Sequence, residues 1–270
     1  MHILKSLVLG IIQGLTEFLP ISSSGHLVLS EHFLKVQTSD TSFEVFLHLG
    51  SLLAVIIFFR KDIVGLITSI LPIKNPKYPE DQINNRKIVF YMIVSTIVTG
   101  VIGFLFRDFF EKLFQNPILV AIMLSITGLI IYLSDTIRLE RVHSADMGVW
   151  RAFIIGLGQS FAILPGISRS GTTISVSLFT GVKRSEAARY SFLLSIPAIL
   201  GAAVLNLDAF RALDKSMLIS YAIGGMGAFV SGYLVIAALL KIIRNRKLKY
   251  FAFYCWIVSI TSIILLLAGY

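Results

Sequence analysis

Long apolar runs recur along the 270-residue chain, and they constrain its fold more than any other feature. The runs 218–240 and 251–269 each supply about the 20 residues that a helix needs to cross roughly 30 Å of hydrocarbon. Only 14% of the residues are charged, whereas a soluble domain carries about 25%. The sequence therefore predicts an all-α integral membrane protein.

Two of the apolar stretches are interrupted in a way that a simple spanning helix is not. The stretches 3–20 and 150–165 each run into a proline that is followed by a Ser- and Gly-rich segment. Lipid cannot hydrogen-bond the backbone groups freed by such a break, so breaks of this kind lie within protein or beside water. We predict two re-entrant helical hairpins here. The six predicted transmembrane helices are 43–59, 88–106, 117–134, 191–206, 218–240 and 250–269.

The two hairpins are related in sequence. A shift of 146 positions aligns Gly10 with Gly156, Gln13 with Gln159, and segment 21–25 with segment 167–171. Four of the five residues in the last pair of segments are identical. Many membrane folds build a site between two such halves. We therefore predict a single membrane domain, 1–270, composed of a first repeat, 1–134, and a second repeat, 150–270.

The charged residues predict the orientation of these repeats. Segment 241–249 holds five basic residues and no acidic one, and segment 60–87 holds six basic against three acidic residues. Basic loops remain in the cytoplasm, so both segments are predicted to lie inside. Counting crossings from there opens the first hairpin to the outside and the second to the inside, which makes the repeats inverted. The net charge of +9 thus reports topology, and we expect no nucleic-acid partner.

The first hairpin carries an ionisable cluster at its break. Gln13 and Glu17 are four residues apart and share one helix face. A carboxyl group in a membrane segment is by default a functional-site hypothesis. Three serines and His26 follow directly and supply a hydroxyl nucleophile and a general acid or base. A Glu that merely ends a helix among hydroxyls is the structural alternative, and it accounts for Glu17 alone.

The second hairpin carries phosphate-binding chemistry. Arg169 offers a planar guanidinium, and glycines and hydroxyl residues surround it. The helix N-terminus that follows adds its dipole. The alternative is an Arg169 that only pairs with Glu17, because an unpaired guanidinium at this depth is too costly. Since carboxylates bind Mg²⁺ or Ca²⁺ and Mg²⁺ usually also binds substrate phosphates, the clusters together indicate metal-assisted phosphoryl transfer on an amphiphilic substrate.

These motifs resemble the undecaprenyl-diphosphate phosphatase family, also called the bacitracin-resistance proteins, over nearly the whole chain. Segment 13–26 matches the family's (Glu/Gln)-x-x-x-Glu pattern with its following Ser/Gly/His residues, and segment 165–173 matches Pro-Gly-x-Ser-Arg-Ser-x-x-Thr. Segment 185–197 is also similar. Gln13 stands where many relatives have Glu, which puts a mechanism with two carboxylates in doubt, so we assign the chemistry to Glu17.

The resemblance implies hydrolysis of undecaprenyl diphosphate to undecaprenyl phosphate and inorganic phosphate. This reaction would recycle the lipid carrier of cell-wall synthesis and confer bacitracin resistance. The resemblance also implies a multi-pass protein of the bacterial cytoplasmic (inner) membrane, with its active site facing the outer side. The expected partners are a polyprenyl diphosphate and membrane lipids, and a homodimer is left open.

Carried over by position, the resemblance implies that Glu17, Ser23, His26 and Arg169 are catalytic, with Glu17 as ligand of the divalent cation. Ser23 could attack with His26 as its base, or Glu17 or a metal could activate water directly; we favour Ser23. The supporting, substrate-binding set is Gln13, Ser22, Ser24, Gly166, Ser168, Ser170 and Thr173.

A polyprenyl-phosphate flippase or transporter is the rival function, because inverted repeats with broken helices are typical of transporters. The Ser23 and His26 pair beside Glu17 favours an enzyme, since a carrier of an anionic lipid needs no nucleophile. His48 lies in an apolar helix and is predicted to be a satisfied core residue. The lone cysteine, Cys255, is predicted to have a packing role.

Overall fold

The computed structural model describes residues 3–35, 41–72, 79–205 and 215–269, and over these ranges the chain forms twelve α-helices. A one-turn 3₁₀ helix, Ser144–Asp146, precedes the eighth of them. The helices are α1 (Ile3–Phe18), α2 (Ser23–Phe33), α3 (Thr41–Phe58), α4 (Arg60–Ile70), α5 (Pro79–Leu105), α6 (Arg107–Leu113), α7 (Pro117–Asp135), α8 (Gly148–Phe161), α9 (Arg169–Phe179), α10 (Arg184–Leu205), α11 (Lys215–Arg244) and α12 (Lys249–Leu267).

Five of the described helices are long and apolar enough to cross a membrane, namely α5, α7, α10, α11 and α12. They confirm five of the six predicted spans and make the chain a multi-pass membrane protein. The predicted span 43–59 is α3, which bends by 79° into α4. Arg60 and Lys61 begin α4, and charged side chains leave the hydrocarbon, which accounts for the bend at the end of the apolar run.

Two spanning helices begin about two turns or more before the start that the hydropathy pattern predicts. Helix α5 starts at Pro79 rather than at 88, and α10 starts at Arg184 rather than at 191. The two extra turns of α10 carry three charged residues, yet Arg184 is buried because protein, and not lipid, surrounds it. An apolar run marks the lipid-facing part of a helix only. Residue 206, at the end of the span predicted at 191–206, lies outside the described residues.

The two predicted hairpins have arms too short to cross a bilayer. Helices α1 and α2 contain 16 and 11 residues, and α8 and α9 contain 14 and 11. At 1.5 Å per residue the longest arm reaches about 24 Å, short of the roughly 30 Å of hydrocarbon. The arms therefore have the lengths of re-entrant hairpins.

Corresponding helices of the two predicted repeats make corresponding contacts. Helix α1 packs along α11 and α8 along α5, while α3 packs on α11 and α10 on α5. Gly10 and its equivalent Gly156 lie at the first two crossings. A Cβ on Gly10 would lie 2.1 Å from the Gly224 carbonyl oxygen, and one on Gly156 would lie 2.9 Å from the Ser95 oxygen. Small residues of this kind let membrane helices approach closely, and the matched contacts support two related halves.

Ion pairs gather the basic segments at one end of the molecule. The Glu140 carboxylate accepts from Arg184 at 3.0 Å and lies 2.6 Å from Arg246, so the starts of α10 and of the α11–α12 loop meet there. Lys87 of α5 pairs with Asp146 at 3.3 Å. Both segments that the charge bias predicts to be cytoplasmic thus take part in ion pairs with the connection between α7 and α8.

Cysteine labelling can test the predicted orientation of this end. We expect an impermeant thiol reagent to label Gln115→Cys in intact cells and Lys247→Cys only after permeabilisation, because basic loops stay inside. Both positions are exposed, and the buried Cys255 is replaced by Ser as background. Labelling of Lys247→Cys but not Gln115→Cys in intact cells would reverse the orientation.

Candidate active site

The last two turns of α1 present a buried amide and a buried carboxylate. Gln13 and Glu17 lie one turn apart, and Gln13 Nε2 donates a hydrogen bond to Glu17 Oε2 at 3.0 Å. Gln13 is fully buried and Glu17 is 7% exposed. A carboxylate this deep in a membrane protein needs charged or hydrogen-bonding partners, and the two hairpin tips supply them.

The backbone between α1 and α2 brings a serine hydroxyl to this carboxylate. Ser22 has a φ of 70°, in the left-handed region that residues other than glycine seldom adopt. Its hydroxyl accepts from the Gly25 backbone N–H at 3.2 Å and caps α2. Ser23, the first residue of α2, donates its hydroxyl hydrogen to Glu17 Oε2 at 2.6 Å. Unfavourable backbone geometry of this kind concentrates at functional sites.

The second hairpin presents Arg169 from an equally constrained turn. Gly166 has a φ of 92°, and a Cβ there would lie 2.2 Å from the Val120 carbonyl oxygen, so only glycine fits against α7. The Ser168 hydroxyl accepts from the Gly171 N–H at 3.0 Å and caps α9. Arg169 is the first residue of α9, as Ser23 is of α2.

The tips of the two hairpins meet at an ion pair. Arg169 Nη2 donates to Glu17 Oε1 at 2.6 Å, and the two side chains are 16% and 6% exposed. Beside this pair, the Ser170 hydroxyl donates to the Leu19 carbonyl at 3.2 Å. The Glu17 carboxylate therefore accepts the Ser23 hydroxyl on one oxygen and the Arg169 guanidinium on the other. A hydroxyl, a carboxylate and a guanidinium thus meet at one point.

Much of the predicted substrate-binding set supports this arrangement from within the hairpins. The Thr173 hydroxyl lies 2.6 Å from the Ser191 hydroxyl, and the Ser191 carbonyl accepts a long, 3.4 Å hydrogen bond from Arg169 Nη1. Thr173 thus braces the element that carries Arg169. The other members with hydrogen bonds inside the protein are Ser22, Ser24, Gly166, Ser168 and Ser170.

His26 does not stand where the sequence predicts it. Its Nδ1 lies 2.8 Å from the Ser22 carbonyl oxygen, one helical turn back, and its Nε2 lies 2.9 Å from the Tyr254 hydroxyl. The His26 and Tyr254 rings are stacked, 5.6 Å apart and 7° from parallel. Both ring nitrogens have partners, so the hydrogen-bond acceptor of the Ser23 hydroxyl is the Glu17 carboxylate and not His26.

Two residues near the site were not predicted to belong to it. His48, interpreted as a core residue, has Nε2 3.7 Å from Glu17 Oε2, and its Nδ1 lies 2.8 Å from the Glu44 carbonyl oxygen. The sequence does contain a sign of this role for His48, because an ionisable residue in an apolar helix favours a functional role. Tyr254 gave no such signal, because a tyrosine in a spanning helix is ordinary.

The surroundings of Glu17 fit a cation that arrives with other ligands. Gln13 Oε1 is buried and has no hydrogen-bond partner among the described residues. Amide and carboxylate oxygens are ligands for Mg²⁺ and Ca²⁺. The described part of the chain contains no group of three His, Cys, Asp or Glu side chains that could form a cage. A cation here would need oxygens from substrate or water to complete its shell.

The ion pair should be measurable in the stability of the ligand-free protein. We expect Glu17→Gln to lower the free energy of unfolding by about 3 kcal/mol, because it leaves the Arg169 guanidinium without its anion. In the double variant Glu17→Gln/Arg169→Gln both charges are gone, so stability should recover part of that loss. Thermal unfolding in detergent measures both. A Glu17→Gln protein as stable as wild type, or a double variant less stable than Glu17→Gln, would contradict the pairing.

Comparison with known proteins identifies the family. The family described as "Bacitracin resistance protein BacA" matches residues 6–261. A protein of Methanobrevibacter smithii named "Undecaprenyl-diphosphatase" is 43% identical over 267 residues, covering 96% of each chain. One of Halothermothrix orenii with the same name is 46% identical over 267 residues, covering 98% of each chain. The resemblance that the motifs predict is thereby confirmed, and the chain belongs to the BacA family of bacitracin resistance proteins.

Proposed function

We propose that this protein hydrolyses undecaprenyl diphosphate to undecaprenyl phosphate and inorganic phosphate. One observation carries the proposal: the Glu17 carboxylate binds the Ser23 hydroxyl and the Arg169 guanidinium together, at 2.6 Å each. A hydroxyl hydrogen-bonded to a base is the mark of an activated nucleophile, and a guanidinium fork binds phosphate. The names of the relatives support the choice of substrate.

Ser23 attacks in the first step. Its proton passes to Glu17 Oε2, Ser23 Oγ bonds to the terminal phosphorus, and the bond from that phosphorus to the bridging oxygen breaks. The lipid monophosphate departs and a phosphoserine remains. Water then bonds to the phosphorus as the bond to Oγ breaks, Glu17 returns its proton to Oγ, and phosphate leaves as dihydrogen phosphate. The protonation state of every group is restored.

Arg169 exchanges its partner during this reaction. In the free protein it neutralises Glu17, and in the complex its fork turns to two oxygens of the terminal phosphate. The departure of the guanidinium frees Glu17 Oε1. We propose that Gln13 and Glu17 would hold a Mg²⁺ or Ca²⁺ ion when the diphosphate is bound. Such an ion would supply neutralising charge for the phosphates.

The same proposal extends to the cell. The protein acts in the cytoplasmic membrane, with its site reached from the outer side, where it regenerates the lipid carrier of cell-wall synthesis. Faster removal of the diphosphate would confer bacitracin resistance, and the family description supports this role. The basic segments gathered at the opposite end of the predicted topology support the outward-facing site.

A lipid flippase remains the second candidate, supported by the matched packing of α1 on α11 and α8 on α5. The site itself favours the enzyme, because its chemistry is not duplicated. Under the shift of 146 positions, Glu17 corresponds to Ile163 and Ser23 to Arg169. One half carries the nucleophile and its base, and the other carries the clamp.

Phosphate release and covalent labelling test the proposed function together. We expect purified protein to release phosphate from undecaprenyl diphosphate, and Ser23→Ala to bind the lipid but not turn it over, because the hydroxyl acts mainly in the transition state. Rapid quench with substrate labelled in its terminal phosphate should trap label on Ser23. Ser30→Ala, further along α2, is the matched control and should keep wild-type activity.

Two outcomes would count against parts of this account. If wild-type protein releases no phosphate from the diphosphate, the proposed activity is wrong. If water attacks directly, Ser23→Ala loses only a supporting hydrogen bond of about 1 kcal/mol. Such a variant would keep a measurable rate, and no label would appear on the protein at any time.

A further inference from the structure

The His26 and Tyr254 pair has a defined arrangement of hydrogens. The Ser22 carbonyl oxygen can only accept, so His26 Nδ1, 2.8 Å away, carries its hydrogen. The remaining nitrogen, Nε2, lies 2.9 Å from the Tyr254 hydroxyl. In the neutral ring Nε2 accepts the tyrosine hydrogen, and in the charged ring it donates to the tyrosine oxygen. In this arrangement His26 Nε2 is hydrogen-bonded to Tyr254, so His26 influences a bound ligand through the Tyr254 hydroxyl.

Tyr254 is the accessible member of the pair. His26 is 9% exposed, whereas Tyr254 is 41% exposed. The next residue of α12, Cys255, has its Sγ 3.9 Å from the Pro20 carbonyl oxygen at the break of the first hairpin. Tyr254 thus lies where α12 passes the hairpin tip and also reaches the surface of an apolar helix. A lipid head group that approaches from the bilayer meets the phenol before it meets the imidazole.

Phosphoryl transfer benefits from a hydrogen-bond donor beside the oxygen that leaves with the lipid. Attacking and leaving oxygens stand roughly in line on opposite sides of the phosphorus. Ser23 and Glu17 occupy the attacking side, so they cannot reach the oxygen that leaves with the lipid. His26 lies three residues beyond Ser23 on α2, on a neighbouring part of the same face. The Tyr254 hydroxyl lies 2.9 Å from His26 Nε2, and in the described residues it makes no hydrogen bond to Ser23 or Glu17.

We propose that Tyr254 binds the lipid-side phosphate of the substrate and that His26 acts through it as a positioning residue; this deepens, and rests on, the proposed hydrolysis. When the Ser23 oxygen bonds to the terminal phosphorus, the bond to the bridging oxygen breaks and its electron pair stays on the lipid monophosphate. With the His26 ring charged, its Nε2–H donates to the Tyr254 oxygen, which leaves the Tyr254 O–H free to donate a hydrogen bond to the bridging oxygen as negative charge grows there. The stacked His26 ring fixes the direction of the hydroxyl.

The test compares Tyr254→Phe, which removes the hydroxyl and keeps the stacked ring, with Tyr250→Phe, one turn earlier on α12. Loss of a donor to developing charge lowers kcat by about 100-fold or more. We expect that loss for Tyr254→Phe, with KM within about threefold of wild type, and wild-type activity for Tyr250→Phe. In rapid quench, Tyr254→Phe should slow the formation of phosphoserine and leave its breakdown unchanged, a split that general loosening of the fold does not produce.

A double variant separates the roles of the two residues. If His26 acts only through Tyr254, His26→Gln/Tyr254→Phe should be no slower than Tyr254→Phe alone. A Tyr254→Phe enzyme with wild-type kcat, or losses that multiply in the double variant, would overturn the proposal, and thermal unfolding would confirm that each variant is folded. Wild-type protein that releases no phosphate would instead overturn the proposed function and, with it, this role. If the wild-type protein is active and Tyr254→Phe has the same kcat, only the role of Tyr254 is overturned.

Discussion

The ion pair between Glu17 and Arg169 is the contact on which the site depends. Each partner belongs to a different hairpin, and neither could remain charged and unpaired at membrane depth without a large free-energy cost. The need to pair them draws the two tips together. Once joined, the pair also brings the Ser23 hydroxyl and the α9 N-terminus to one point, because both begin helices directly beside it.

The broken helices bring the two hairpin tips together, and they also explain why the two halves contribute different groups to the site. Ser23 and Arg169 are equivalent positions of the two hairpins, each the first residue of its second arm. One position carries the proposed nucleophile and the other the proposed phosphate clamp, while the carboxylate occurs in the first half only, opposite Ile163. On this proposal, the two related hairpins form a single chemical site. Ser22 has the unfavourable φ of 70°, whereas its equivalent Ser168 has an ordinary φ of −75°, so the backbone strain lies in the half that holds Glu17 and Ser23.

Sequence patterns predicted five of the spans and the broken helices, because hydropathy acts locally. The pairing of Arg169 with Glu17 was the alternative to phosphate binding, and the cost of an unpaired charge pointed to it because few partners are available. They could not predict which way side chains turn at a break. His26 was assigned to Ser23 from proximity along the chain, but helix geometry directs its ring to the Ser22 carbonyl and to Tyr254, 228 positions away.

Contacts between distant helices account for the other differences. The 3.7 Å approach of His48 to Glu17 depends on how α3 packs against α1, and no periodicity in the sequence encodes it. The buried start of α10 at Arg184 is polar in sequence and reads as a loop, although its partners Asp135 and Glu140 hold it in a helix. A helix segment buried in lipid must be apolar, but a segment buried in protein can be polar when its neighbours supply charged partners. Hydropathy therefore detects the first kind of burial and misses the second.

The most direct test of the account is a structure of the protein with a lipid diphosphonate, in which carbon replaces the bridging oxygen so that the substrate cannot be cleaved. The account predicts the terminal phosphorus about 3–3.5 Å from Ser23 Oγ, with Arg169 turned from Glu17 to two oxygens of that group. A bound head group away from Ser23, with the Glu17 and Arg169 pair still closed at 2.6 Å, would contradict it.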